Sequence, residues 1–282
     1  MYMYIGSAVT SPSRGVERGV TGASEREMTS RAELEAQGWT VHGSQPAVTA
    51  AATDGEKQKP GEWTLDGSVG DIAQEIAASG MQVADKALEV MEVARASAIV
   101  QSQGCRGMSM LGEREDTRKE IIAKGAIDAV AAAMEHHPTV AEVQAYGCSA
   151  LGNFAIGDGE PLVIARGLAV VLAAMRALPA DALVQSKACR VLGNCAFSPE
   201  GERAVLASGC VTEILAGMRG HPTDVAVQEE GCDALVNLAG SEAGREAVVA
   251  QEGVSVVTAA TRNHPSLESA TDCLKSLTPG KE

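Results

Sequence analysis

Four cysteines recur in one setting. Cys105, Cys148, Cys189 and Cys232 each follow a Gly or Ala, inside VQSQGCRGMSML from Val100, VQAYGCSALGNF from Val143, VQSKACRVLGNC from Val184 and VQEEGCDALVNL from Val227. A catalytic thiol needs a polar, electropositive site that favours the thiolate. A cysteine repeated on an apolar stripe reads instead as a small core residue. His137, His221 and His264 each precede a proline. Spaced a whole repeat apart, they should not share a metal. At a helix C-terminus, each is expected to cap carbonyls and favour the negative end of the dipole. No GxSxG, HExxH or phosphate-loop pattern supplies a nucleophile, a metal pair or an anion cradle. Gly152–Gly159 (GNFAIGDG) follows a helical pattern and lacks a phosphate-loop lysine, so it reads as a turn. The remaining cysteines, Cys195, Cys210 and Cys273, read as packed or incidental. The expectation is no catalytic residue, no metal and no cofactor.

What positions these residues is a repeat. The four Val-Gln blocks step by 43, 41 and 43 residues. Gly125, Gly167, Gly209 and Gly253 keep the same period, and so do Pro138, Pro179, Pro222 and Pro265. Each unit reads as three helices. A short first helix ends at the glycine, which tolerates the left-handed conformation. An apolar second helix ends before His-Pro or Leu-Pro, because proline disfavours helix at the preceding residue. The third helix begins near that proline and carries the block. One such unit cannot enclose its own apolar face, so the units must stack into a solenoid.

These segments resemble the armadillo repeat family, across about residues 70–278. The three-helix unit, the glycine between its first two helices and the third-helix pattern seen in SALGNFA, RVLGNCA and DALVNLA carry the likeness. The resemblance implies an all-α, right-handed solenoid of about five repeats (70–112, 113–154, 155–196, 197–239 and 240–278). It also implies a concave surface of third helices, on which an asparagine of each third helix clamps the backbone of an extended peptide. Those positions are Asn153, Asn194 and Asn237 here, with Met110 in the first block. The tryptophan that importin-type members carry four residues earlier is absent. Arg106, Ser149, Arg190 and Asp233 stand there, so nuclear import is not inherited. An asparagine in this place also suits a structural cap of free carbonyls.

A helical wheel gives the exposed face independently. With each block's valine as position 0, positions 0, 4, 5, 8 and 12 fall on one arc and should be buried. Positions 3, 6 and 10 fall opposite. They hold Gln103, Arg106 and Met110; Tyr146, Ser149 and Asn153; Lys187, Arg190 and Asn194; Glu230, Asp233 and Asn237. This strip is basic at Arg106, Lys187 and Arg190 and acidic at Glu230 and Asp233, with Asp272 as a possible continuation. Charge order of this kind sets the register of a bound partner more than its affinity. The plain alternative is a solvated polar face.

Composition narrows the classes that remain. Hydrophobic residues make up 45% and aromatics only 2%, so the core must be built of Ala, Val, Leu and Gly. The formal net charge of −14 argues against nucleic acid, whose backbone recruits clustered Lys and Arg. No apolar run reaches the roughly 20 residues of a membrane-spanning helix. Seven cysteines without a CxxC pair suggest reduced thiols, and hence a cytoplasmic or nuclear protein. Early acidic residues (Glu17, Glu25, Glu27) make a mitochondrial leader a poor fit. Residues 1–69, which hold Trp39 and Trp63, read as a disordered tail with a short helix near Ser30–Gln37. The functional expectation is a monomeric, non-catalytic scaffold that binds a protein or extended peptide. Two alternatives stay open. One is a regulatory or targeting domain, or a fragment of a larger signalling or trafficking protein. The other is a HEAT-like module associated with an enzyme, such as a chromophore lyase subunit.

Overall fold

The computed structural model describes residues 81–279 and, upstream, the pairs Met3–Tyr4 and Val41–His42. Those two pairs, β1 and β2, lie parallel, with Met3 opposite Val41 and Tyr4 opposite His42. The sequence pattern gave no sign of this ladder. The rest of the stretch read as a tail, its short helix included, lies outside the described residues.

From Met81 the chain is an α-solenoid. Helices α1 (Met81–Val93) and α2 (Ala98–Gly112) come first. Three-helix units follow: α3 (Glu115–Ala123), α4 (Ala126–His136) and α5 (Ala141–Phe154); α6 (Glu160–Arg166), α7 (Leu168–Ala177) and α8 (Ala182–Cys195); α9 (Pro199–Ala207), α10 (Cys210–Gly220) and α11 (Val225–Leu238); and α12 (Glu242–Ala250), α13 (Gly253–Asn263) and α14 (Glu268–Leu277). The third helices α2, α5, α8, α11 and α14 pack in series and form the spine of the stack. One continuous core runs the length of the described solenoid, from Ala84 to Leu277.

The punctuation works differently from repeat to repeat. Gly125 and Gly209 do take the left-handed conformation, with φ of 88° and 79°. Gly167 does not: its φ is −95°. In the last repeat Glu252 takes the left-handed turn at φ 64°, and Gly253 already belongs to α13. Glycine is needed there for space, since a Cβ would stand 2.4 Å from Cγ1 of Val248. The prolines sit in the turn, two residues before the cap, rather than in the first turn of the third helix. The caps themselves are Asp181 and Asp224 in two repeats, whose carboxylates accept from the amides of Val184 and Val227 at 3.0 Å.

A buried glutamine ties each of the third helices α2, α5, α8 and α11 to the helix before it. Gln101, Gln144, Gln185 and Gln228 are all no more than 2% exposed. Each Nε2 donates to two carbonyls at the end of the second helix, for example Gln144 to Met134 O at 2.9 Å and to His137 O at 2.8 Å. Helix C-termini leave their last carbonyls without internal partners, and here one side chain satisfies two of them. Histidines then join neighbouring repeats. Nε2 of His137 donates to Arg95 O at 2.7 Å, that of His221 to Pro179 O at 2.9 Å and that of His264 to Pro222 O at 3.1 Å. The expectation that these rings cap their own helices is therefore corrected, because each one reaches the turn of the preceding repeat. His136 does cap its own helix, through Ala132 O.

Candidate functional site

Positions 3, 6 and 10 of the third helices form the least covered strip of the wall. Lys187, Arg190 and Asn194, Tyr146 and Ser149, Arg106 and Met110, and Glu230 and Asn237 are half-buried, and Asp233 is exposed. Gln103 and Asn153 are the exceptions, both buried. The arc of positions 0, 4, 5, 8 and 12 is buried as the wheel requires. Burial extends well past that arc, because α5, α8 and α11 are each flanked by two other third helices and backed by their own second helix.

The asparagines form a ladder within the wall. Nδ2 of Asn153 donates to Ser109 O at 2.8 Å, Asn194 to Gly152 O at 2.8 Å and Asn237 to Gly193 O at 2.9 Å. Each amide thus reaches the backbone of the preceding third helix. A carboxamide carries two N–H donors and one acceptor oxygen, so one donor is committed to the stack. Met110, in the first repeat, has no amide to offer.

Around the ladder the strip is polar and linked. The hydroxyls of Ser109 and Ser149 lie 2.9 Å apart. Nη2 of Arg190 donates to Ser149 O at 3.2 Å and to its Oγ at 3.3 Å, while Nε of Arg190 is buried without a partner. The guanidinium of Arg106 stands 5.7 Å from the ring centroid of Tyr146, within cation–π range. Burial pushes the Glu230 carboxyl above its ordinary value, against the pull of Arg190 and Lys187. Asp233 is raised as well, by burial first and by Glu229 second.

Ion pairs such as Arg166–Asp128 at 2.6 Å and Lys124–Asp85 at 2.7 Å join a first helix or its end to the second helix of the preceding repeat, and Arg176–Glu213 at 2.7 Å joins two second helices. Among the described residues, Arg106, Lys187, Arg190, Glu230 and Asp233 take part in none. Asp272, a possible continuation of the acidic end, is paired with Lys275 at 2.9 Å.

The cysteines are free and buried, all seven of them. Burial pushes Cys105 and Cys148 up to about 12, so neither is a nucleophile at neutral pH. Cys273 stands outside the register of the four repeated cysteines, and its thiol is pushed up by Cys232 and by burial. No group of three or more metal-binding side chains occurs among the described residues, and no described helix is long and apolar enough to cross a membrane. The glutamines were the residues whose role the sequence reading missed. Their signal was in view, since an amide stands at position 1 of all four blocks.

No protein-family profile matches the chain, and no curated protein does. Solved structures do. A crystal structure of an engineered protein is 25% identical, covers 74% of this chain and 88% of its own, and superposes with a TM-score of 0.60. Another engineered protein is 19% identical over 93% of this chain and 96% of its own, with a TM-score of 0.62. A designed armadillo repeat protein in complex with the peptide (KR)4 is 15% identical over 74% of this chain and 91% of its own, again with a TM-score of 0.62.

Proposed function

We propose that this armadillo-like solenoid is a non-catalytic scaffold that receives an extended peptide, or an extended stretch of a partner protein, on the concave side of its third-helix wall. The observation that carries the reading is the unpaired charge of Arg106, Lys187, Arg190, Glu230 and Asp233, on a molecule whose first and second helices are laced with ion pairs. The half-buried Arg106, Lys187, Arg190 and Glu230 lose hydration and recover too little Coulomb energy, for the pull of Arg190 and Lys187 leaves the Glu230 carboxyl still raised. A polar partner laid along the strip restores both. The designed neighbour that holds (KR)4 lends the reading support, since its fold is the same. Tyr146, Ser149, Asn194 and Asn237 complete the contact surface, the two asparagines through the amide capacity that the ladder leaves over, while the buried Asn153 serves the stack. The solenoid acts as a single array, and its free thiols suit a reducing compartment, cytoplasm or nucleus.

The test is site-specific photo-cross-linking in cells. A photoreactive residue replaces Lys187 on the wall or Ala216, an exposed position on α10. The expected result is discrete protein adducts from position 187 and none from 216. Adducts from 216 alone would move the binding surface to the other side of the solenoid.

A further inference from the structure

The wall carries an order of charge. From the first repeat to the fourth it reads Arg106, then the neutral Tyr146 and Ser149, then Lys187 with Arg190, then Glu230 with Asp233. None of the five ionic side chains has an ion-pair partner among the described residues, and the one nearby anion that could have extended the series, Asp272, is neutralised by Lys275. Two features show that the order is built into the wall. Arg190 is fixed by its bonds to Ser149, with Nε buried and unpartnered. Arg106 is held against the ring of Tyr146.

Resting on the scaffold reading above, we infer that the partner segment is dipolar: it presents a carboxylate to Arg106, a second carboxylate to Lys187 and Arg190, and a single cationic side chain to Glu230 and Asp233. Helix packing gives the spacing. Adjacent third helices lie about 8–10 Å apart, and an extended chain advances about 3.3–3.6 Å per residue, so each repeat is crossed by about three residues. The two carboxylates are then about six residues apart, and the cation follows the second by about three. A uniformly basic peptide fits poorly, because it would set like charges against Lys187 and Arg190. A uniformly acidic one meets the same obstacle at Glu230 and Asp233. The half-buried state of Glu230 sharpens the choice, because burial already disfavours its charged form and a facing cation relieves that cost.

Two synthetic peptides of about twelve residues test this, both dye-labelled and built of Gly and Ser apart from three charges. In the ordered peptide glutamates stand at the second and eighth positions and lysine at the eleventh. In the permuted peptide the eighth and eleventh are exchanged, so net charge and composition are unchanged. Binding is followed by fluorescence anisotropy at low salt, and location by cross-linking from a photoreactive residue at position 146. The ordered peptide should bind about threefold or more tightly, since exposed pairs of this kind shift affinity by up to about fivefold each. The preference should fade as salt is raised. Lys187 makes no side-chain hydrogen bond or ion pair in the structure, so Lys187→Glu leaves the fold intact and should reduce the preference, Arg190 and the two carboxylates of the fourth repeat staying in place. Asp233→Lys, at an exposed position, should weaken it. Circular dichroism melts check that both variants remain folded. Equal binding of the two peptides, with cross-links still formed at the wall, overturns the dipolar assignment and leaves the scaffold reading standing. Absence of cross-links from the wall with either peptide removes both.

Discussion

The side-chain amide of Asn194 donates a hydrogen bond to the carbonyl oxygen of Gly152, 2.8 Å away on the preceding third helix. The same bond recurs one repeat on either side, from Asn153 to Ser109 and from Asn237 to Gly193. An asparagine in this place therefore holds the stack together, whatever else it touches. Asn194→Ala should lower stability by about 1 kcal/mol, the usual net value of one internal hydrogen bond. For about 200 ordered residues that is a drop of about 2–4 °C in melting temperature. A thermal melt followed at 222 nm measures it, and an unchanged midpoint would mean that the bond contributes nothing. Because such variants disturb the fold, Lys187 and Asp233 are the better probes of binding.

The glutamines should matter more. Gln144 bonds Met134 O and His137 O at once from a fully buried position. Gln144→Leu would leave two carbonyls without a donor, at a cost of about 2–4 kcal/mol. Gln144→Glu is harsher near neutrality, because a carboxylate has no proton to give. Its folded-state pKa would be raised, so stability is retained where the acid is protonated and lost as pH rises through that pKa. Urea melts at pH 5 and pH 8 should show Gln144→Glu closer to wild type at the lower pH. The opposite ordering would show that the donor role is wrong.

Much of this fold could be read from spacing alone. A period near 42, the helix stops before His-Pro and the apolar stripe all follow from local chemistry, and helices do stand at those places. The polar staples could not be read the same way. Gln144 and His137 act on carbonyls ten and 42 residues away, and periodicity carries no information about which backbone group a side chain will meet. The strip at positions 3, 6 and 10 was legible because a stacked helix must leave one arc open. Burial of Asn153 and Gln103 on that arc was not, because it depends on the neighbouring repeat. The left-handed Glu252 was hidden as well, because the glycine beside it, Gly253, is there for the room that a Cβ would take from Val248 and not for its backbone conformation.

Two glycines that look alike in the sequence should respond very differently to alanine. At Gly231 a Cβ would stand 2.7 Å from Cγ of Met218, a flexible side chain that can yield. The equivalent position in the preceding repeat is already an alanine, the buried Ala188. Gly231→Ala also gains up to about 1 kcal/mol of helix propensity, so its net effect should lie within about 1 kcal/mol of zero. At Gly244 the Cβ would fall 1.7 Å from the backbone oxygen of Leu238. That oxygen cannot move without breaking the turn between α11 and α12, where Ser241 caps the helix through the Gly244 amide at 3.0 Å. Gly244→Ala should cost more than about 3 kcal/mol, in the range of strong backbone disruption. Denaturant melts of the two variants side by side decide the matter, and similar losses in both would refute the contrast.

The thiols give the solenoid a distinctive response to alkali. Burial holds Cys105, Cys148, Cys195 and Cys210 near 12, against an ordinary value of 9.0. The folded chain thus keeps these protons where the unfolded chain releases them. A group raised on folding contributes its full stability below the unfolded pKa and loses it as pH climbs toward the folded one. The window is therefore pH 9 to 12, and by pH 10 each thiol should have withdrawn on the order of 1 kcal/mol. Urea melts at pH 8, 9 and 10 should show stability falling steeply over the last unit, and Cys148→Ala should flatten that fall. At pH 8 an aromatic disulfide reagent should leave the native thiols of the solenoid unmodified for as long as the fold holds, and modify them promptly once urea opens it. Rapid modification of the native protein at pH 8 would show that the wall opens far more often than its packing implies. A stability profile flat from pH 8 to 10 would show that the buried thiols ionise without cost.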